Sequence, residues 1–229
     1  MAAAQRPEAE RDRDLERGAR LRLDAQKKTL VARERDRPQV RLRRELFQRL
    51  QPHLDPARLV FLDESGFRLG SPPHYGWAPL GQKSPGKSVE GAWRTITMLG
   101  AIALDGWRSM ITIDAATDQN VFLAFVEQAL IPNLRHGDIV VMDNLAAHKH
   151  AAVLSALRAV GVDVLFLPPY SPEYNPIEKA WAKLKELVRR ATTLTREAFD
   201  QAVAAAMQEI SCADIHAWTR YAGYALAST

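Results

Sequence analysis

Four prolines within nine residues, running straight into a helix, constrain this chain more than any other stretch. The segment is Leu167 to Glu186, LPPYSPEYNPIEKAWAKLKE. Pro168, Pro169, Pro172 and Pro176 each hold φ near about −65° and push the preceding residue towards extended backbone, so the loop loses little entropy on folding. A helix follows, with Asn175 suited to the N-cap, Pro176 to the first helical position, and Ile177, Trp181, Leu184 and Val188 spaced as one buried stripe. Glu178 falls on the first turn, about one residue round from that stripe, where its carboxylate can face a cleft at the edge of the core. The same residues also fit a capping box, with Glu178 reaching back to the Asn175 amide.

Two further carboxylates bear on that choice. Asp63 ends the apolar run Leu59-Val60-Phe61-Leu62, and Asp143 ends Ile139-Val140-Val141-Met142. Both runs read as buried central strands. An acid at the tip of a buried strand is costly unless it is paired or coordinated. Two such acids and a preplaced glutamate suggest a site for hard divalent cations, Mg²⁺ or Mn²⁺, which take oxygen ligands and keep positions open for phosphate and water. Two ions about 3.5–4 Å apart would suit an in-line phosphoryl displacement.

Charge is uneven along the chain. Residues 1–50 hold 15 Lys and Arg against 9 Asp and Glu, a net of +6, while the other 179 residues hold 16 against 18, a net of −2. The basic first fifty residues are the electrostatic footprint expected for a nucleic-acid contact, although the interleaved Glu8, Glu10, Asp12, Asp14 and Glu16 also fit a plain solvated helix. Cys212 is the single cysteine, which argues against a disulfide framework or a cysteine zinc cluster and favours a reducing compartment. No apolar run reaches the length of a membrane span and no signal core is present, so a cytoplasmic protein is expected.

Read in order, residues 1–52 make a basic helical arm or linker, ending in an amphipathic helix from Gln39 to Leu50 whose polar face carries Arg41, Arg43, Arg44 and Arg49. Residues 53–229 make the main domain. Its first strand, Leu59 to Asp63, is turned away by Glu64-Ser65-Gly66. Residues 67–92 are rich in Pro and Gly and read as an inserted loop; there His74, Tyr75 and Trp77 could clamp a partner or simply pin the loop down. Then come a hairpin of Arg94–Ala103 and Trp107–Asp114, a helix at Val121–Leu130, the Asp143 strand, a helix at Ala151–Val160, a strand at Val162–Leu167, the Glu178 helix, a helix at Arg196–Ile210 and an aromatic tail. This order predicts an α/β fold with one mixed sheet of about five strands flanked by helices, and right-handed crossovers place the Asp143 strand beside the Asp63 strand.

Leu62-Asp63-Glu64-Ser65-Gly66, Met142-Asp143-Asn144 with His148-Lys149, and Pro168-Pro169-Tyr170-Ser171-Pro172 leading to Asn175-Pro176-Ile177-Glu178 resemble the catalytic blocks of the DDE transposases of the mariner superfamily, in its bacterial insertion-sequence branch. Thirty-four residues separate Asp143 from Glu178, as that pattern requires, and the resemblance extends over roughly residues 27–225. It implies a ribonuclease H-like fold, Asp63, Asp143 and Glu178 as metal ligands, and Mg²⁺- or Mn²⁺-dependent cleavage and strand transfer at transposon ends, with two ions. It further implies double-stranded DNA as partner, both ends and target, and a homodimer in the DNA complex. Relatives carry a helix-turn-helix region ahead of the catalytic domain. Here at most Leu21 to Leu30 resembles the tail of one, so either a separately encoded recognition half or a truncated remnant is expected. Tyr174 stands where an aliphatic residue is usual.

Around the three acids, Asn144 and His148 are candidates for orienting Asp143 or touching phosphate, against a helix cap and a surface histidine respectively. Glu64 should leave its strand on the face opposite Asp63 and serve as a supporting group. Lys83, Lys87, Arg94, Lys149, Lys179 and Lys183 are candidate phosphate contacts. The competing reading is a catalytically silent DNA-binding or oligomerising remnant of a transposase.

Overall fold

The structure is a computed structural model that describes residues 33–71, 79–82, 94–191, 193 and 195–226. The chain divides into two compact units, 1–33 and 34–229, and every element named below lies in the second. Strands β1 (Leu59–Arg68), β2 (Thr95–Ala103), β3 (Gly106–Ile113), β4 (Ile139–Met142) and β5 (Asp163–Phe166) form one five-stranded sheet in the order β3-β2-β1-β4-β5. The β1-β2-β3 half is antiparallel, and β4 and β5 add on in parallel. The expected neighbours, the Asp63 and Asp143 strands, do lie side by side.

The helices are α1 (Pro38–Leu50), α2 (Gln119–Phe125, widening into a π turn at Val126–Leu130), α3 (Ala151–Ala159), α4 (Ile177–Arg190), α5 (Arg196–Gln208) and α6 (Cys212–Tyr221). Side chains of a strand alternate between faces, and the core divides accordingly. Leu59, Phe61 and Phe67 of β1 pack with Val141 of β4, Phe47 of α1, and Ile177, Trp181, Leu184 and Val188 of α4. On the other face Val60, Leu62, Val140 and Met142 pack with Phe122 of α2 and Val153 and Leu157 of α3. Helices thus cover both faces of the central strands, which explains why β1 and β4 read as unbroken apolar runs.

Three local expectations are corrected. β1 does not turn at Glu64-Ser65-Gly66 but continues to Arg68, because β2 runs antiparallel beside it through the pairs Glu64↔Leu99 to Arg68↔Thr95. The parallel pairing with β4 has its last register pair at Phe61↔Val141, so the second half of β1 has lost a neighbour and its polar residues line an open edge. The aromatic tail is a helix, α6, started by a reciprocal capping box between Ser211 and Asp214. Arg44 does not sit on a solvated face. It is buried, and its guanidinium donates to Ser171 Oγ at 2.5 Å, Glu173 Oε1 at 2.6 Å and the Tyr174 hydroxyl at 3.1 Å, so α1 braces the proline loop. Lys83, Lys87, His74, Tyr75, Trp77 and residues 1–32 lie outside the described residues. Among the described residues no helix is long and apolar enough to cross a membrane.

Candidate active site

The register of β1 on β4 places two of the acids. Phe61 pairs with Val141, so two residues further on, past the last pair, Asp63 and Asp143 follow on neighbouring segments of the sheet, on the face that carries α4. β1 continues through Asp63, whereas β4 ends at Met142 and frees Asp143 at the sheet edge. The third acid comes from the proline loop. Tyr170 there is in the left-handed region at φ 55°, an uncommon conformation for a non-glycine residue, and Arg44 holds the adjacent Ser171. The loop ends at Asn175, which is extended, and Pro176, which is already helical, so Glu178 sits on the first turn of α4.

Asn175 does not cap the helix with its side chain. Its amide donates to the Leu62 carbonyl at 3.4 Å, while its own carbonyl accepts from Glu178 N at 3.2 Å. The loop is thereby tied to the strand one residue before Asp63. Asp63, Asp143 and Glu178 line one cavity of about 410 Å³, with Asn144, Tyr170, Ser171 and Asn175 among its other walls. Among the described residues no three His, Cys, Asp or Glu side chains converge tightly enough to hold an ion as they stand, so the acids occupy the cavity's walls rather than a single point.

Their titration reflects that arrangement. Burial, and next the charges of Glu178 and Asp143, push Asp63 up to about 7 despite a hydrogen bond from the Trp181 indole. Partial burial and Asp143 also raise Glu178, against the pull of Lys185, which lies seven residues further along the same helix. Asp143 moves the other way. Burial would raise it, but His148, the Leu145 amide and Lys149 outweigh that effect and hold it below the ordinary carboxylate range. His148 is only 1% exposed, so it is no surface histidine; its ring lies 4.3 Å from Phe122, and Nδ1 approaches Asp143 Oδ1 to 2.7 Å, close but off the line of a well-formed hydrogen bond. Asn144 does not cap α3, whose N-cap is His150; its amide donates to the Leu167 carbonyl and joins the ends of β4 and β5. Glu64 is not among the cavity's lining residues.

The described candidate cations differ in what they already hold. Arg94 pairs with Asp114, and Lys183 pairs with Asp214 at 2.8 Å. Lys149 lies 5.8 Å over Phe166, and Lys179 lies 4.6 Å over Tyr221. The sequence reading missed Arg44 and the second role of Trp181. Arg44 had no local signal, whereas a tryptophan in a buried stripe signals that its N–H needs a partner. Tyr174, the departure from the expected aliphatic residue, stacks on Phe47 at 5.1 Å, and its hydroxyl accepts from Arg44 and Gln48.

Comparison with solved structures gives the same architecture. The Mos1 transposase paired-end complex with left transposon end matches with a TM-score of 0.71 at 16% identity, over 97% of this chain and 79% of that one. The Mos1 mariner paired end complex with Mn matches at 0.72 and 17% identity, over 96% and 72%. The catalytic domain of Mos1 mariner transposase matches at 0.55 and 15%, over 86% and 94%. At such identities the likeness establishes the fold, which is ribonuclease H-like. No curated protein matches the chain. The family model for DDE superfamily endonucleases matches residues 58–200, a span that begins just before β1 and takes in all three acids, and this chain therefore belongs to the DDE superfamily endonuclease family.

Proposed function

We propose that this chain is the catalytic unit of a transposase that cleaves DNA at transposon ends and joins those ends to a target, with Asp63, Asp143 and Glu178 holding Mg²⁺ or Mn²⁺, two ions in the full site. The observation that carries the reading is that these three acids line one cavity, with Asp63 at about 7. Such a cavity stores repulsion that a divalent cation relieves, and its donors are the oxygens a hard ion prefers. The Mos1 structures of the same fold were determined as paired-end complexes with transposon DNA and with Mn or Mg. When bound, the ions would activate the attacking oxygen and stabilise the leaving one.

The protein's own groups set up that chemistry. β1, the tip of β4 and the first turn of α4 present the carboxylates, and the Arg44 brace and the prolines keep the loop from relaxing. His148 and the Leu145 amide keep Asp143 ionised at neutral pH. Lys179, next to Glu178 in sequence, and Lys149, six residues after Asp143, take DNA phosphates; Arg94 and Lys183 do so by exchanging their present partners, and Lys83 and Lys87 are further candidate phosphate contacts. Asn144 supports the site, and Glu64 acts from the opposite face. The basic N-terminal residues serve as the DNA-facing arm, and the compact unit from residue 34 onward, with α1 packed on its core, is the catalytic domain. On paired ends the chain acts as a homodimer.

Glu178→Gln tests it. Supercoiled plasmid incubated with Mn²⁺ and wild-type chain should be nicked, and the variant should fall by at least about 10²-fold, since it removes an anionic oxygen where charge develops. Equal nicking by both proteins would overturn the assignment.

A further inference from the structure

We propose that Trp181 is a positioning residue of the carboxylate site, its indole N–H holding Asp63 in place while Gly100, directly opposite Asp63 on β2, provides the notch in which the ring lies. The inference rests on the reading of Asp63 as a metal ligand. Trp181 is 2% exposed, and Nε1 donates to Asp63 Oδ2 at 3.2 Å. It sits on α4 one turn past Glu178, so a single side chain spans from the helix that bears one acid to the strand that bears another. A neutral donor fixes the direction of a carboxylate without cancelling its charge, which a lysine or arginine in the same place would do.

Gly100 supplies the independent observation. It pairs with Asp63 in the β1–β2 register, well inside a strand, where glycine costs stability and packs nothing. Its backbone is not in the left-handed region, so conformational freedom does not account for it. Space does: a Cβ at this position would come within 2.8 Å of Trp181 Cη2 and 3.1 Å of Trp107 Cζ3. The strand gives up a side chain beside Asp63, and an indole fills the gap with its N–H on the carboxylate. Phenylalanine could fill a purely apolar hole there; what it could not do is donate.

Mn²⁺ alone is the probe, titrated into the full chain as wild type, Asp63→Ala, Trp181→Phe and Gly100→Ala. Trp181→Phe should retain the wild-type far-ultraviolet circular dichroism and weaken Mn²⁺ binding by about 10-fold or more, the usual effect of removing a partner that orients a ligand. Gly100→Ala should weaken binding in the same direction by crowding the ring, and it carries the comparison if phenylalanine at 181 prevents folding. In ¹⁵N-labelled protein, the indole resonance that vanishes in Trp181→Phe should move when Mg²⁺ is added and move again in Asp63→Ala, which a ring that only packs would not do. Unchanged Mn²⁺ affinity in the Trp181 variant overturns this inference and leaves the metal reading intact. Absence of Mn²⁺ binding by folded wild type overturns both.

Discussion

Asp63 makes the metal-free protein sensitive to pH in a direction opposite to that of most paired carboxylates. It titrates at about 7 in the fold against 3.8 when free, so between those values the folded protein binds more protons than the unfolded chain. Its contribution to stability is therefore fullest below the lower value and is lost as the pH rises through the higher one; Glu178, also raised, acts with the same sign. Asp63→Asn should consequently be more stable than wild type at about pH 8, by a difference on the order of 2–4 kcal/mol that vanishes by about pH 4, measured by urea denaturation across the range. Mg²⁺ should raise the wild-type melting temperature, and more so at about pH 8 than at about pH 5, since protons and cations compete for the same oxygens. A melting temperature indifferent to Mg²⁺ at both values would contradict the cation site. Glu178→Gln should change stability by no more than about 1 kcal/mol, because Glu178 neither caps α4 nor packs in the core.

At the scale of elements, the proline loop and α1 behave as one part. Arg44 is buried among Ser171, Glu173 and Tyr174, and Arg35 donates to the same Glu173 carboxylate at 2.5 Å. Removing Arg44 takes the guanidinium away from Ser171 and Tyr174 and leaves Glu173 to Arg35 alone, beneath the loop that carries Glu178. Arg44→Met should cost about 3 kcal/mol by denaturant unfolding and should reduce DNA nicking, although the side chain touches no acid of the site. The last helix depends on a different device. Ser211 and Asp214 cap each other, Lys183 of α4 donates to the same Asp214, and these bonds hold Asp214 down at about 2. Ser211→Ala should cost about 1 kcal/mol and loosen α6 first, as amide exchange of Ile215 and Thr219 would report.

For the whole molecule, the net charge is +6 over residues 1–50 against −2 over the rest, so under the proposed function the first part of the chain is the electrostatic handle for DNA. Binding of the full chain to an arbitrary duplex should weaken steeply with salt, with a linear log–log slope that counts the phosphates engaged. A tight, sequence-selective and salt-insensitive shift would instead require a base-reading element in this chain.

The sequence by itself determined the elements and their chemistry. Continuous apolar runs marked β1 and β4 as central strands, the 3.6-residue stripe marked α4, and prolines marked the rigid approach to Glu178, because these signals are local and arise from burial and backbone sterics. It singled out three acids as candidates as well, Asp63 and Asp143 because a carboxylate ending a buried strand is conspicuous and Glu178 because the prolines lead to it, and all three line one cavity. What only the tertiary structure decided depends on who stands next to whom. β1 runs on past Glu64-Ser65-Gly66 because β2 lies along it, a fact no local composition encodes. Arg44 is buried because a loop 127 residues away brings Ser171 to it, and Trp181 reaches Asp63 because Gly100 leaves room across the sheet. Hydrogen bonds and notches between distant segments carry no periodicity, so they become legible only once the chain has folded and brought them together.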